Sequence, residues 1–405
     1  MTASALGGLR AIEFGGYAAG PVVGKYLANY GADVIRVESS TRLDGFRTHY
    51  PPFKDNIPGT ERAGIFSYFN DSKRGVTLNL KTERGVELAR GLVQRADVVV
   101  ENFTPGTMGR LGLGYDVLST INPRLVMLST CNQGQSGPRA TQPGFGSHLT
   151  SLSGFTQLLG DPDRTPVLLY GPYIDYIAVG YGVVAVLAAL ARRLVTGRGA
   201  YIDLSQYEAG LQFMTPALLD FFINGRVAAR QGNRDPSAVP HGVFPCRGDE
   251  RWVALSVWDD AEWQRFVEAI GAPDWARNPA YATVLGRKAD EDRIEQHVAD
   301  WTRERDRQEV VDRLCASGLR AAVVNSMADL FADPQLRARG AWLEVNHPVL
   351  GRVHVAAPPY WLCDTPPAAQ RAAPLLGADT AAVLAEVLGL DDHEIETLEQ
   401  AGVLR

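Results

Sequence analysis

Short apolar runs bounded by Gly, Pro or Asn alternate with amphipathic stretches through the first half of the chain. That alternation predicts a parallel α/β sheet with helices on both faces. Residues 9–14 (LRAIEF) read as a strand closed by Gly15-Gly16. Residues 21–30 (PVVGKYLANY) read as a helix with proline in its first turn, where a missing N–H costs nothing. Gly31 stops that helix, and residues 33–38 (DVIRVE) give the second strand. The pattern then recurs. Thr82 opens a helix running to about Arg95, with Glu83 in its first turn, and a buried strand follows at residues 97–101 (DVVVE). Residues 125–130 (LVMLST), after Asn122-Pro123, give another strand.

The character changes after about residue 210. All seven tryptophans lie between Trp252 and Trp361. Residues 225–245 are rich in Arg, Asn, Pro and Gly and read as a connecting loop. A short strand (WVALSV) begins at Trp252, charge-laced amphipathic helices run to about Arg320, and strand signals return at residues 346–356. The predicted organisation is a large α/β domain over 1–215, a linker over 216–240, a smaller α/β domain over 241–328, and a linker and C-terminal return over 329–405. The longest apolar run, residues 177–191, has 15 residues and two glycines. A membrane span needs about 20, so this run predicts a buried helix and no membrane association.

Composition narrows the function classes. With 405 residues, 45% hydrophobic, 21% charged and a formal charge of −6, the chain suits an ordinary globular protein of two domains. The acidic balance argues against nucleic acid as a partner. Four cysteines without a CxxC pair fit reduced thiols, and the start MTASALGGLRAIEF lacks the basic and apolar regions of a signal peptide, so a cytoplasmic location is expected. The stretch GGYAAG departs from GxGxxG, and Gly24-Lys25 lacks the rest of a P-loop. The seven histidines show neither HxxxH nor HExxH spacing, and no GxSxG elbow occurs, so no metal is expected and serine-hydrolase chemistry is disfavoured.

Asp175 is the most informative position, an isolated carboxylate ahead of a long apolar helix. One reading is an N-cap, where Asp satisfies a free N–H and complements the helix dipole. The other is a carboxylate nucleophile, held ionised at the helix terminus and partly desolvated. The two are compatible.

The segments GLRAIEFGGYAAGP, GADVIRVE, NDSKRGVTLNLKTERG, ADVVVENFTPGTMGRLGLGYDVL, INPRLVMLSTCNQGQSGP, GRGAYIDLSQYE and ADPQLRARG span almost the whole chain. Together they resemble the family III CoA-transferases, the formyl-CoA:oxalate and carnitine CoA-transferase group, related to the α-methylacyl-CoA racemases. The resemblance implies a Rossmann-like large domain built from both chain ends, a smaller inserted α/β domain, and two subunits interlocked like links of a chain. A homodimer and a heteromer with a paralogous subunit both fit. It also implies transfer of CoA from an acyl-CoA donor, succinyl-CoA being a candidate, to a carboxylic acid. Acyl-CoA is then a substrate, with no cofactor bound permanently. Asp175 matches the family's nucleophile, which carries acyl anhydride and CoA thioester intermediates. Gly16, Tyr17, Ala18 and Ala19 match a CoA-contacting loop, Leu78 and Lys81 match adenine-nucleotide contacts, and Asn102, Phe103 and Arg110 match the next stretch of the CoA groove.

Departures from the family pattern bear on the acid. Oxalate-specific members carry Gln where this chain has Ala18, and a glycine-rich run where it has HGVFPC. Both differences argue against oxalate and for a roomier, less polar site with Tyr17 and Phe145 as aromatic walls. A bulky, branched or aromatic dicarboxylic acid such as benzylsuccinate is expected, its second carboxylate served by Arg47, His49, Arg139 or His148. An arginine common after the second strand is Ser39 here, leaving that nucleotide contact unfilled. Racemase relatives place a histidine where Phe145 stands, with His148 three residues on. An acyl-CoA racemase or isomerase, and a non-catalytic CoA-binding subunit, stay open as alternatives.

Overall fold

A computed structural model describes residues 4–405. Its main sheet has six parallel strands: β1 (Arg10–Phe14), β2 (Asp33–Glu38), β3 (Arg74–Thr77), β4 (Val98–Glu101), β5 (Val126–Cys131) and β6 (Ala200–Ser205). Their spatial order is β3-β2-β1-β4-β5-β6. The inner strands β4 (VVVE) and β5 (VMLSTC) are buried along their whole length, as parallel strands covered on both faces require. Chain direction across the sheet reverses between β1 and β4, and the loops leaving their carboxyl ends diverge there, opening a crevice. One face packs Ile12, Leu88, Leu92 and Val99 into a core, and the other packs Val22, Val98, Leu128 and Val186. The helix Glu83–Gln94 starts where the sequence places it, Thr82 accepting the Gly85 N–H at 3.1 Å.

Two strands escape the periodicity. β3 has only four residues, and β6 lies at the sheet edge with alternate residues solvated, so neither presents a long apolar run. The apolar run at 177–191 also underestimates its helix, which spans Tyr173–Thr196 and has 24 residues. Among the described residues this is the one helix long and apolar enough to cross a membrane. Here it packs along the helix Ala19–Asn29 and along β5 and β6, with Ile174, Ala178, Val183 and Val186 buried and Arg193 paired to Asp97 at 2.9 Å.

The chain divides into two compact units. The first comprises Met1–Phe155, Leu168–Ile223 and Gln335–Arg405, and the second comprises Thr156–Val167 and Asn224–Pro334. The second unit builds an antiparallel sheet, β7 (His241–Pro245), β8 (Trp252–Ser256) and β9 (Arg320–Val323), around a core of Phe244, Val253, Trp263, Phe266 and Val298. Two boundaries differ from the linear reading. Residues 156–167 belong with the second unit, and most of the helix Thr215–Asn224 belongs to the first where a linker was expected. The strand signals near residue 350 are a hairpin, β10 (Trp342–His347) and β11 (Gly351–Ala356), in the first unit. The chain then returns to the β3 edge of the main sheet. Asp379 accepts the Gly75 N–H at 2.8 Å, Thr380 accepts the Thr77 N–H at 3.0 Å, and the Asn79 N–H reaches the Val403 carbonyl at 2.7 Å.

Candidate active site

Asp175 is not the cap of its helix. It is the third residue of Tyr173–Thr196, whose N-terminal flank is Pro172, and its own N–H reaches the Pro172 carbonyl at 3.0 Å. The carboxylate lies instead against the backbone of Gly146, the first residue of the helix Gly146–Leu152. A Cβ at Gly146 would stand 2.5 Å from Asp175 Oδ2. No hydrogen bond or ion pair among the described residues engages this carboxylate, and burial alone pushes its pKa up to about 7. A carboxylate without partners keeps its lone pairs available for attack once ionised.

The loops after β1, β2, β3 and β4 enclose a cleft of about 430 Å³ in the first unit, at the point where strand order reverses. Gly16, Tyr17, Leu78, Lys81, Asn102 and Phe103 all line it. Leu78 is fully buried and forms part of its floor. Three other positions differ from expectation. Ala18 and Ala19 are each 2% exposed and pack inward, so the small side chain of Ala18 opens no space beside the cleft. Arg110 is exposed outside it and donates to Thr107 Oγ1 at 2.8 Å; it is Thr107 that lines the cleft. The missing cation at Ser39 is matched by one the sequence reading passed over, because Arg42 lines the same wall as Lys81. An arginine four residues beyond a strand end was the available signal.

The loop after β1 is held tightly. Asn102 donates from Nδ2 to the Gly16 carbonyl at 2.7 Å and accepts the Gly16 N–H at 3.0 Å. Tyr17 adopts φ 59, and its N–H donates to both Asp44 carboxylate oxygens at 3.1 and 3.2 Å. Asp44 is buried and paired with the fully buried Arg36, which also bonds Glu13 and donates to the Gly15 carbonyl at 3.2 Å. At Gly15, with φ +110, a Cβ would meet Asn102 Oδ1 at 2.0 Å, so both backbone and space exclude a side chain.

The candidates for the acid's second carboxylate fare differently. Arg47 is 0% exposed, forked onto Glu38 at 2.8 and 3.0 Å, paired with Glu61 and laid over the Phe66 ring, so its donors are spent inside the fold. His49 is exposed with Nδ1 at 2.6 Å from Thr48 Oγ1, and Arg139 sits over Tyr207. His148 Nδ1 accepts the Phe145 N–H at 3.2 Å, and the ring borders a separate cavity with Asn132, Gln133 and Gln142. The aromatic side chains named for the acid wall pack against one another. Tyr17 packs edge-on to Phe145 at 5.8 Å, to Tyr50 at 6.0 Å and to Phe46 at 5.3 Å, and Phe145 immediately precedes the Gly146 that touches Asp175. Tyr17, Tyr50 and Phe145 are all exposed.

Comparison with known proteins bears on the family and the fold. The CoA-transferase family III model matches residues 6–380. The succinyl-CoA–L-malate CoA-transferase beta subunit of Chloroflexus aurantiacus is 34% identical, covering 98% of each chain. The succinate–glutarate CoA-transferase of Agrobacterium fabrum is 32% identical, covering 94% of this chain and 95% of its own. Among solved structures, a CAIB/BAIF family protein from Brucella suis superposes with a TM-score of 0.87 at 30% identity, over 95% of this chain and all of that one.

Proposed function

Because the chain belongs to CoA-transferase family III, we propose that it moves CoA from succinyl-CoA to a bulky or aromatic dicarboxylic acid, with Asp175 as the covalent nucleophile. The observation that carries the nucleophile is a partially desolvated, unpartnered carboxylate in the unit that holds the four-loop cleft. In this reading Asp175 attacks the thioester carbonyl, the C–S bond breaks, and a mixed anhydride and CoA thiolate form. The thiolate then attacks the Asp175 carbonyl, releasing succinate and leaving an aspartyl-CoA thioester. The acceptor carboxylate attacks that thioester, giving a second anhydride and thiolate. Attack of this thiolate on the acceptor's acyl carbon frees Asp175 and the new acyl-CoA. Each step exchanges one activated acyl bond for another. Arg42 and Lys81 supply the cations that the phosphates of CoA require.

The acid is read from the aromatic wall. Tyr17, Tyr50 and Phe145 form an exposed ring cluster whose Phe145 end adjoins the Gly146 that abuts Asp175, while the buried Arg47 is withdrawn from any ligand. Relatives are named for L-malate, glutarate, mesaconate and citramalate, which supports a dicarboxylic acid; the rings support an apolar body on it. A panel of acids assayed with succinyl-CoA tests this. Benzylsuccinate or phenylsuccinate is expected to exceed malate and glutarate in kcat/KM by at least tenfold, with oxalate slowest. Malate or oxalate at the head of the panel would sink the aromatic assignment.

The same reading includes an interlocked pair of chains. Phe213, Phe221, Phe222 and Ile223 are 55–85% exposed in one segment, and Val184, Leu194 and Val195 are exposed on the helix that begins beside Asp175. Apolar exposure on that scale fits a face covered by a second copy, and relatives named as alpha and beta subunits support assembly. Light scattering is expected to give twice 44.0 kDa at the lowest measurable concentration. An active species of 44.0 kDa would contradict it. Four free thiols suit the cytoplasm as its location.

A further inference from the structure

Tyr17 stands in the left-handed backbone region, which a bulky residue occupies only where its surroundings over-determine it. Those surroundings are specific. The Asn102 amide commits one N–H and one oxygen lone pair to the two peptide groups of Gly16, which fixes that turn from both sides. The buried Asp44 carboxylate receives the Tyr17 N–H and is fixed in turn by Arg36. Gly45 completes the seat, since a Cβ there would lie 2.5 Å from the Tyr17 ring. The consequence is directional: the ring lines the cleft and meets Phe145 edge-on at 5.8 Å, next to the glycine that abuts Asp175.

We infer that Asn102 and Asp44 are positioning residues that hold Tyr17 left-handed, so that its ring guides the thioester from the cleft onto Asp175. It gives Asn102 a role besides the CoA contact that the resemblance implies, and it rests on the transferase reading above. Asp44 secures the Tyr17 N–H; Asn102 fixes the preceding peptide so that the turn cannot relax. Neither group needs to touch the reacting atoms.

The experiment compares Asn102→Ala, Asn102→Asp, Tyr17→Ala and the Asn102→Ala/Tyr17→Ala double variant with wild type. Hydrogen exchange of the Gly16 and Tyr17 amides, which needs no activity, is expected to accelerate at least tenfold in Asn102→Ala. In kinetics, kcat with succinyl-CoA is expected to fall at least tenfold while the Kd for CoA moves less than threefold. In the Tyr17→Ala background, loss of Asn102 should cost less than a further threefold. Asn102→Asp keeps the acceptor for the Gly16 N–H but sets a carboxylate against the Gly16 carbonyl. Its kcat is therefore expected to fall at least tenfold at pH 7 to 8, with the Kd for CoA again moving less than threefold. That variant carries the test should the alanine variant not fold. Unchanged exchange, a loss confined to CoA affinity, or fully additive losses in the double variant would each overturn the inference. Wild-type enzyme that transfers no CoA to any acid would retire the transferase reading instead, with the exchange and CoA-binding data still judging the clamp.

Discussion

Replacing Asp175 with alanine is expected to lower kcat by about 10⁴-fold or more, the scale on which a covalent enzyme depends on its nucleophile. Hydroxylamine added to wild type with an acyl-CoA should leave a mass change on the peptide carrying Asp175, and none in the variant. The pH dependence follows from the same environment. Burial holds the carboxyl near 7, and only the ionised form attacks, so adduct formation should fall as pH drops through about 7. The assay must read Asp175 itself, because burial also raises Glu101, at the end of β4, to about 7. Stability should move the opposite way to activity. The folded pKa lies above the unfolded one, so burying the charge costs the fold most above pH 7 and nothing below about pH 4. Asp175→Asn should therefore raise the stability at pH 8 by on the order of 2 kcal/mol after allowance for partial solvation, read as a higher Tm, and leave it unchanged near pH 3.5. Full activity in the alanine variant, or a Tm gain independent of pH, would refute the assignment.

Gly146→Ala is expected to cost about 10²-fold or more in kcat, although it adds a single methyl group. The new Cβ would lie 2.5 Å from Asp175 Oδ2 and 2.6 Å from the Pro172 Cα, and only the carboxylate can yield without moving backbone. A reacting group displaced by about 1 Å loses rate on that scale. Crowding of Pro172 should also lower stability by about 1–3 kcal/mol. The lining of the four-loop cleft proposed for CoA does not include Gly146, so the Kd for CoA should change little. Steady-state kinetics beside calorimetric CoA binding checks both parts. A raised KM with kcat preserved would mean that Gly146 serves binding and not the orientation of Asp175.

The two parts of the molecule that the sequence exposed best are those where one residue's chemistry answers to its near neighbours. β2 at Asp33–Glu38 and the helix begun by Thr82 are legible because apolar period, capping and a stop residue all act within a few positions. Asp175 is legible for the same reason, as a lone carboxylate before an apolar run. Its cap role was misjudged because the helix starts two residues earlier, after a proline whose geometry no local pattern dictates. β3 and β6 were missed because a short strand and a half-solvated edge strand gain their stability from neighbours far away in sequence. For β3 these include Asp379 and Thr380, some 300 positions on. The clamp of Asn102 on Gly16 and the pairing of Arg36 with Asp44 span 86 and 8 positions, and the contact of Gly146 with Asp175 spans 29. Arg47 shows the limit from the other side, since nothing in its own segment distinguishes a ligand-facing arginine from one neutralised by Glu38 and Glu61. Periodicity and residue chemistry determined four of the six parallel strands and the helices between them, and singled out Asp175 as a candidate. Which polar groups are consumed inside the fold, and which are left facing a ligand, was decided only when distant segments closed on one another, because a buried charge or N–H must be satisfied by whatever the tertiary packing brings within reach.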